Sequence, residues 1–242
     1  MTHKAPWQRD ETVQIGTDYE SLDEIRIYDQ KMSRMRDLRR EIQDISDQLA
    51  LSPGQMVLEI GTGTGNFAIF AAGIGAEVIA ADVSAPMLEY AKEKAKARLG
   101  KGAERIRFVN AGFLSYEHEG PLLDAIVTQL ALHHLPDFWK QVALFRLSAI
   151  LKEGGKLYIM DAVYSFDHKE YENFFHEYLE KVAKNCDETS IENITTHIKD
   201  EYSTMNWIME EMLKRAGFIV ENADYKNGFI ATYLCTKRSD RE

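Results

Sequence analysis

The sequence predicts an α/β protein built on a doubly wound, mostly parallel sheet of seven strands. Three observations lead to this prediction. Short apolar runs alternate with helix-like segments between residues 57 and 160, which is typical of parallel βαβ units with right-handed crossovers. After Asp161 the sequence pattern becomes polar and typical of helices, and an Asn-Gly turn then separates two further strand-like runs. We therefore expect the sheet to end in an antiparallel hairpin, with a helical lid inserted before it.

The composition of the 242-residue chain fits a packed protein of this class, with 45% hydrophobic and 28% charged residues. The net charge of −10 disfavours a nucleic-acid partner, because phosphate binding usually requires a basic face. A solvated helix face is the favoured interpretation of the clustered arginines, and a local basic patch is the alternative. These residues are Arg34, Arg36, Arg39 and Arg40.

Cysteine spacing and hydropathy predict the cellular compartment of the chain. Cys186 and Cys235 match neither metal-site nor redox-pair spacing, so we expect a reducing cytoplasm. The amino-terminal residues are polar and charged, unlike a secretory signal. Since no apolar run reaches the roughly 20 residues that span a bilayer, we expect no membrane partner.

The first of four predicted segments, residues 1–50, is a helical lid or cap. Residues 1 to about 18 lack periodicity, and we expect them to be loose. From residue 20 to residue 50, apolar residues recur at steps of three and four, which predicts a helix. The stripe is more typical of a core-covering face than of a partner contact, although a homodimer stays open beside a monomer. Its members are Met32, Met35, Leu38, Ile42, Ile45 and Leu49.

The second segment, residues 51–162, is the predicted sheet core. Ser52-Pro53-Gly54 ends the preceding helix, and Glu153-Gly154-Gly155 is expected to form a turn before the fifth strand. Strands are predicted at 57–60, 77–81, 106–109, 124–129 and 156–160, with helices at 66–72, 85–99 and 138–151.

The third segment, residues 163–203, is the predicted lid, helical over about 167–200. Its aromatic residues either pack the lid onto the core or enclose a ligand, and packing is favoured for any single one. They are Tyr164, Phe166, Tyr171, Phe174, Phe175 and Tyr178.

The fourth segment, residues 204–242, completes the sheet. A helix over 204–216 is expected to stop at Gly217. Strands over 218–225 and 229–236 flank Asn227-Gly228, which is a strong hairpin signal.

The most informative stretch joins the first strand to the first core helix. Val57–Ile60 run into Gly61-Thr62-Gly63-Thr64-Gly65, and Asp82 ends the second strand. Glycines let the backbone approach a ligand, and a carboxylate can accept hydrogen bonds from both ribose hydroxyls. We therefore expect an adenosine-containing cofactor here, and a tight turn without a ligand is the less favoured alternative.

The loop alone does not decide between cofactors. Gly63–Ala68 fits the dinucleotide pattern, which leaves an NAD-dependent oxidoreductase as one alternative. Glu59 precedes the loop, however, and a pyrophosphate would disfavour a further carboxylate nearby. S-adenosylmethionine (SAM) carries an ammonium and a sulfonium and would tolerate it. The terminal hairpin, which a plain dinucleotide half-fold lacks, also favours SAM.

Two later motifs complete a family resemblance. Asp124–Leu135 contains Ala131-Leu132-His133-His134-Leu135, and the Gly154-Gly155 turn follows. With these motifs the chain resembles class I SAM-dependent methyltransferases, in the small-molecule branch that includes quinone-biosynthesis enzymes. The resemblance covers about residues 51–162 and, more loosely, 205–236. It implies a Rossmann-like methyltransferase fold and methyl transfer from SAM to O, N, C or S of a small-molecule acceptor.

The resemblance also implies cofactor-binding roles. The glycine backbone would line the methionine portion, Asp82 would hold the ribose, and Val83 would lie against the adenine. Many relatives carry an acid for the adenine amino group where Gly112 stands here, so backbone at Phe113 or the Asn110 amide is expected to substitute. The predicted set is Tyr28, Glu59, Gly61, Thr62, Gly63, Gly65, Asp82, Val83, Gly112, Phe113, Gln129 and Leu130.

Methyl transfer from a sulfonium is a direct displacement, so a base is needed only when the nucleophile arrives protonated. His133, His134 and Asp161 follow predicted strands at the carboxyl edge of the sheet, and they are the candidate catalytic residues. His197 is a weaker candidate. We expect no metal, because neither the His133-His134 pair nor the His168/His176 spacing forms a convincing ligand set.

Other functions stay open on the sequence. A catalytically silent SAM-binding sensor or partner protein is the main alternative, and the NAD-dependent oxidoreductase is a lesser one. A nucleic-acid methyltransferase is disfavoured by the net charge of −10. It is also disfavoured because Gln129–Leu132 occupy the position where amino-methylating nucleic-acid enzymes often carry an Asn-Pro-Pro-Tyr-like motif.

Overall fold

The computed structural model describes residues 6–13, 15, 21, 25–26, 29, 32–33, 36–184 and 188–239. The helices are α1 (Leu38–Gln48), α2 (Asn66–Ile74), α3 (Ala85–Leu99), α4 (Asp137–Ile150), α5 (Tyr171–Ala183), α6 (Glu188–Asp200) and α7 (Asn206–Arg215). The strands are β1 (Met56–Ile60), β2 (Glu77–Asp82), β3 (Ile106–Asn110), β4 (Leu123–Gln129), β5 (Leu151–Tyr164), β6 (Thr204–Met205), β7 (Phe218–Lys226) and β8 (Ile230–Lys237).

The main sheet has the strand order β3-β2-β1-β4-β5-β8-β7. The first five strands are mutually parallel, whereas β8 runs antiparallel to β5 and β7 antiparallel to β8. The predicted seven-stranded, mostly parallel sheet with a terminal hairpin is confirmed. The structure adds β6, a two-residue strand that pairs with the end of β5 where the sequence predicted helix.

β5 corrects the predicted Gly-Gly turn. Leu151 pairs with Leu123 and Lys156 with Ala125, so four residues of β5 lie opposite the single residue Asp124. Gly154 takes a φ of 72° within this irregularity. The glycines therefore form a bulge inside one long strand that starts directly after α4, rather than a turn before a shorter one.

The amino-terminal stripe covers one face of the sheet. Ile42, Ile45 and Leu49 are buried in a cluster with residues of β1, β2, β5 and α2. Burial of each such side chain contributes about 1.5–3 kcal/mol to folding. The predicted continuous helix is wrong at residues 36–37, because the Asp37 side chain accepts a hydrogen bond from Arg40 N at 3.1 Å and begins α1 there. Met35 lies outside the described residues.

The lid aromatics pack mainly with one another. Phe166 and Phe174 stack with ring centroids 3.8 Å apart, and Tyr178 stacks on Phe229 at 4.6 Å. Gly228 leaves room for this packing, since a Cβ there would lie 2.6 Å from the Phe174 ring. The cluster holds α5 against the hairpin turn of the core sheet.

Residues 6–13, which we call the amino-terminal strap, correct the expectation of a loose amino terminus. Trp7 stacks on Trp139 with centroids 6.5 Å apart, and the Gln8 side chain donates to Leu114 O at 3.4 Å. Arg9 donates to His134 O at 3.4 Å. These partners lie more than 100 residues away in the chain, so the strap crosses the sheet edge without any local periodicity.

Candidate functional site

The glycine loop after β1 turns tightly at the carboxyl edge of the sheet. Gly61, Gly63 and Gly65 have φ values of 76°, 51° and 75°, in the region that disfavours side chains. A Cβ at Gly61 would lie 2.4 Å from Ala131 Cβ, whereas a Cβ at Gly63 would meet nothing within 4 Å. Gly61 is therefore required for packing, and Gly63 keeps the space above the loop open.

Glu59 and Thr62 support this loop from beneath. The Oε2 atom of the buried Glu59 carboxyl group accepts hydrogen bonds from Thr62 Oγ1 at 2.5 Å and from Ala68 N at 3.1 Å. Burial raises the pKa of Glu59 to about 8, and these two hydrogen bonds offset part of that rise. Glu59 thus links the loop to the first turn of α2.

A second carboxylate fixes the loop from the side. Asp29 accepts from Thr64 Oγ1 at 2.5 Å, from the Asn66 amide at 3.0 Å and from Lys94 Nζ. Burial opposes ionisation of Asp29, but the hydrogen bonds from Lys94 and Thr64 lower its pKa below the usual value. Tyr28, predicted to bind the cofactor, lies outside the described residues.

Asp82 joins the ends of β1 and β2. One carboxylate oxygen accepts from Gly63 N at 2.7 Å and the other from Ser84 N at 2.9 Å. The Asp82 carboxylate also lines the cleft, where a ligand can reach it. Asn110 adds to this junction, since its amide donates to the carbonyl oxygens of Asp82 and Val83 at 3.0 and 2.9 Å.

These elements surround a cleft of about 680 Å³, counted with its open mouth. It contains eight of the predicted cofactor-binding residues and the predicted His134. Met87, from the first turn of α3, and Glu11, from the strap, were not predicted. The lining residues are Glu11, Ile60, Gly61, Gly63, Asp82, Val83, Met87, Gly112, Phe113, Gln129, Leu130, Ala131, His134 and Leu135.

His134 lies at the end of the cleft next to Ala131 and Leu135. Burial lowers its pKa to about 4, and the charge of the neighbouring His133 acts in the same direction. His134 is therefore neutral at pH 7, and because a pKa this low makes it a weak base, it takes a proton only from a group that is itself acidic, such as a nucleophile that has gained positive charge.

His133 lies behind His134 between two carboxylates. Its Nδ1 contacts Asp161, and its Nε2 lies 3.2 Å from Glu201 Oε2. Burial alone would lower the pKa of His133, but Asp161 and Glu201 raise it to about 9, so the ring is an imidazolium at pH 7. Tyr202 N also donates to His133 O at 3.0 Å. His133 thus clamps the end of the lid, through Glu201, to Asp161 of β5.

His197 lies next to this group, and the group raises the question of a metal site. His197 contacts Glu201 through Nδ1 and lies 2.8 Å from Ser203 Oγ through Nε2. His133, His134 and Glu201 bring one potential ligand atom each within 4.8 Å of one another. A protonated His133 between Asp161 and Glu201 accounts for the closeness of these three residues without a metal ion. No metal is expected here, and this expectation stays a prediction.

Comparison with known proteins identifies the domain that contains the cleft. Residues 57–155, which include the glycine loop, Asp82 and both histidines, match the family model of a methyltransferase domain. This part of the chain is a methyltransferase domain.

The methyltransferase likeness extends beyond the matched domain. The chain is 28% identical over 207 residues to an uncharacterized methyltransferase of Geobacillus sp. (strain WCH70), with 84% of this chain and 89% of the relative covered. It is 29% identical over 216 residues to an uncharacterized methyltransferase of Geobacillus thermodenitrificans (strain NG80-2), covering 88% and 93%.

A solved structure shares the fold. Magnesium protoporphyrin IX methyltransferase from Synechocystis PCC 6803, crystallised with bound SAH, aligns with a TM-score of 0.60 and 18% identity. The alignment covers 90% of this chain and 86% of that chain.

The resemblance to methyltransferases is confirmed by the matched domain, by the methyltransferase relatives and by the shared fold. The cleft fits SAM, the predicted cofactor, because Gly63 leaves the loop face open and Asp82 lines the cleft beside it. The NAD alternative is not supported, since Gly63–Ala68 lie within the matched methyltransferase domain.

Proposed function

We propose that the enzyme methylates a small-molecule acceptor and that His134 takes the acceptor's proton when the nucleophile is protonated. The observation that carries the proposal is a neutral imidazole in the wall of the cofactor cleft. SAM supplies a methyl group that its sulfonium already activates. The chain's own residues therefore have to align the acceptor, exclude water and accept a proton.

The cleft favours a small acceptor over a polymer. The strap crosses one side of it through Glu11, and the turn at His134 and Leu135 bounds the other end. The arginine cluster does not favour nucleic acid, because the Arg36 guanidinium lies 2.7 Å from the Glu41 carboxylate. The net charge of −10 acts in the same direction.

Within this proposal, Gly61, Gly63, Asp82 and Val83 hold the cofactor, while Gln129 and Leu130 lie beside its reactive end. Glu59, Thr62 and Gly65 keep the loop in shape. His133 and Asp161 act as positioning residues for His134 and the lid rather than as bases, because His133 already carries a proton.

The proposal assigns the sheet core to residues 51–162, completed by 204–242, and the lid to 163–203, with residues 1–50 as a cap. It includes a cytoplasmic location and leaves both a monomer and a homodimer open. Among the described helices, none is long and apolar enough to cross a membrane.

The test is a His134→Gln variant assayed for SAH release over a panel of phenols, amines, thiols and carbon acids. We expect kcat to fall about 100-fold or more for a protonated nucleophile, with SAM affinity unchanged. His168→Gln, which changes an exposed lid histidine, is the matched control.

SAM binding without turnover on any acceptor would instead favour the silent sensor. Turnover that is equal in both variants would remove His134 from the chemistry. Thermal protection by NAD and not by SAM would contradict the cofactor assignment itself.

A further inference from the structure

The cleft contains a carboxylate that comes from the amino-terminal strap. Glu11 is 8% exposed and lines the cleft beside Val83, Met87 and Gly112. Its carboxylate occupies the space above Gly112, where a Cβ would lie 2.5 Å from Glu11 Oε2 and 2.7 Å from Val83 Cγ1. A side chain at position 112 and the present position of Glu11 therefore exclude each other.

The Glu11 carboxylate is held in place but not saturated. Oε2 accepts from Leu114 N at 2.9 Å, and Oε1 accepts from Ser115 Oγ at 2.6 Å. Ser115 Oγ in turn accepts from Gly112 N at 3.0 Å, so the turn after β3 is organised around Glu11. A carboxylate has about four acceptor sites, so about two remain for a donor in the cleft.

The surroundings indicate which part of a bound nucleoside would face Glu11. Asp82 and Gly63 mark the hydroxyl-binding end, and Val83 follows Asp82 directly in the chain. Val83, Met87 and Phe113 supply apolar surface suited to a flat base. A buried carboxylate at the edge of such a surface attracts an exocyclic amino group and repels a carbonyl oxygen.

We propose that Glu11 recognises the exocyclic amino group of the cofactor's adenine, from the position that the missing side chain of Gly112 leaves open. The strap is then part of the cofactor site, and base recognition depends on a residue over 100 positions away from the turn that it organises. The proposal rests on SAM binding in this cleft, as the proposed function requires.

The test compares binding of two ligands by calorimetry, SAH and S-inosylhomocysteine, in which a carbonyl replaces the amino group. We expect the wild-type protein to bind SAH about 50-fold more tightly, as a buried charged hydrogen bond implies. Glu11→Gln, whose amide can donate to the carbonyl, should reduce this ratio to below about fivefold.

Two variants separate base recognition from loop support. Ser115→Ala removes one partner of Glu11 but keeps the carboxylate, and we expect it to retain the wild-type ratio. Glu11→Ala removes the carboxylate itself and should reduce the ratio as far as Glu11→Gln does.

The outcomes are distinguishable. An unchanged ratio in Glu11→Gln, or an equal loss in Ser115→Ala, would overturn the role of Glu11 while leaving SAM binding intact. Failure of the wild-type protein to bind either nucleoside would overturn the proposed function as well.

Discussion

The two ends of the cleft are built in different ways. At the cofactor end, Glu59 binds Ala68 N and Asp82 binds Gly63 N, across 9 and 19 residues of chain. At the acceptor end, His133 binds Asp161 across 28 residues and Glu201 across the lid, while Arg9 of the strap reaches His134 O across 125. The glycine loop and Asp82 are therefore part of the βαβ core, whereas the acceptor end depends on segments that must dock onto it. Substitutions at the cofactor end should change cofactor affinity, and substitutions at the acceptor end should change how the lid and the strap close over the cleft.

The largest effect that this comparison predicts is at Asp82. In Asp82→Ala, Gly63 N and Ser84 N lose their acceptor and the proposed ribose contact disappears. We expect calorimetry to show SAM affinity reduced at least about 100-fold, or about 2.7 kcal/mol. Glu77→Ala, at the exposed start of the same strand, is the control and should bind normally. Equal affinities in the two variants would contradict the ribose role.

A smaller effect should separate two glycines of one loop. Gly61→Ala places a Cβ against Ala131 as well as in a strained φ, so we expect a loss of about 2 kcal/mol in the free energy of unfolding. Gly63→Ala meets open space and should cost only about 1 kcal/mol, but its methyl group enters the cleft and should weaken SAM binding. Urea titrations and calorimetry measure both quantities. The reverse order of stabilities would show that the loop packs differently.

The acceptor end should respond to pH. The pKa of His133 is raised to about 9, so the stability that its charge contributes is fully present below the unfolded value of about 6.5 and is lost as pH rises through about 9. We expect His133→Gln to abolish about 2–3 kcal/mol of the difference in unfolding free energy between pH 7 and pH 10.

Glu59 also has a raised pKa, of about 8, and contributes a loss of the same sign, so the comparison must be made between variants and not from wild type alone. His134→Gln is the matched control, because the pKa of His134 is lowered to about 4 and its contribution falls on the acid side. If His133→Gln and the wild-type protein lost the same unfolding free energy between pH 7 and pH 10, the charge of His133 would not hold the lid.

The same division explains what the sequence could predict. The proximity of Asp82 to the glycine loop followed from spacing, because strand ends in parallel units meet at one edge. The departure at Gly112 was visible too, but the nearby carboxylate of Glu11 was not, since Glu11 makes side-chain contacts from a segment without periodicity. Glu201 was missed for the same reason, and residues 6–13 were wrongly expected to be loose. Local chemistry leaves a pattern in the chain, whereas single long-range contacts leave none.

The central claim is that SAM binds where the β1 loop meets Asp82. The most direct measurement is a crystal structure of the protein soaked with SAH. The account predicts density over Gly61 and Gly63, ribose hydroxyls within hydrogen-bond distance of Asp82, and the base beside Val83. Well-ordered SAH at any other location, or a cleft that stays empty at saturating SAH, would contradict it.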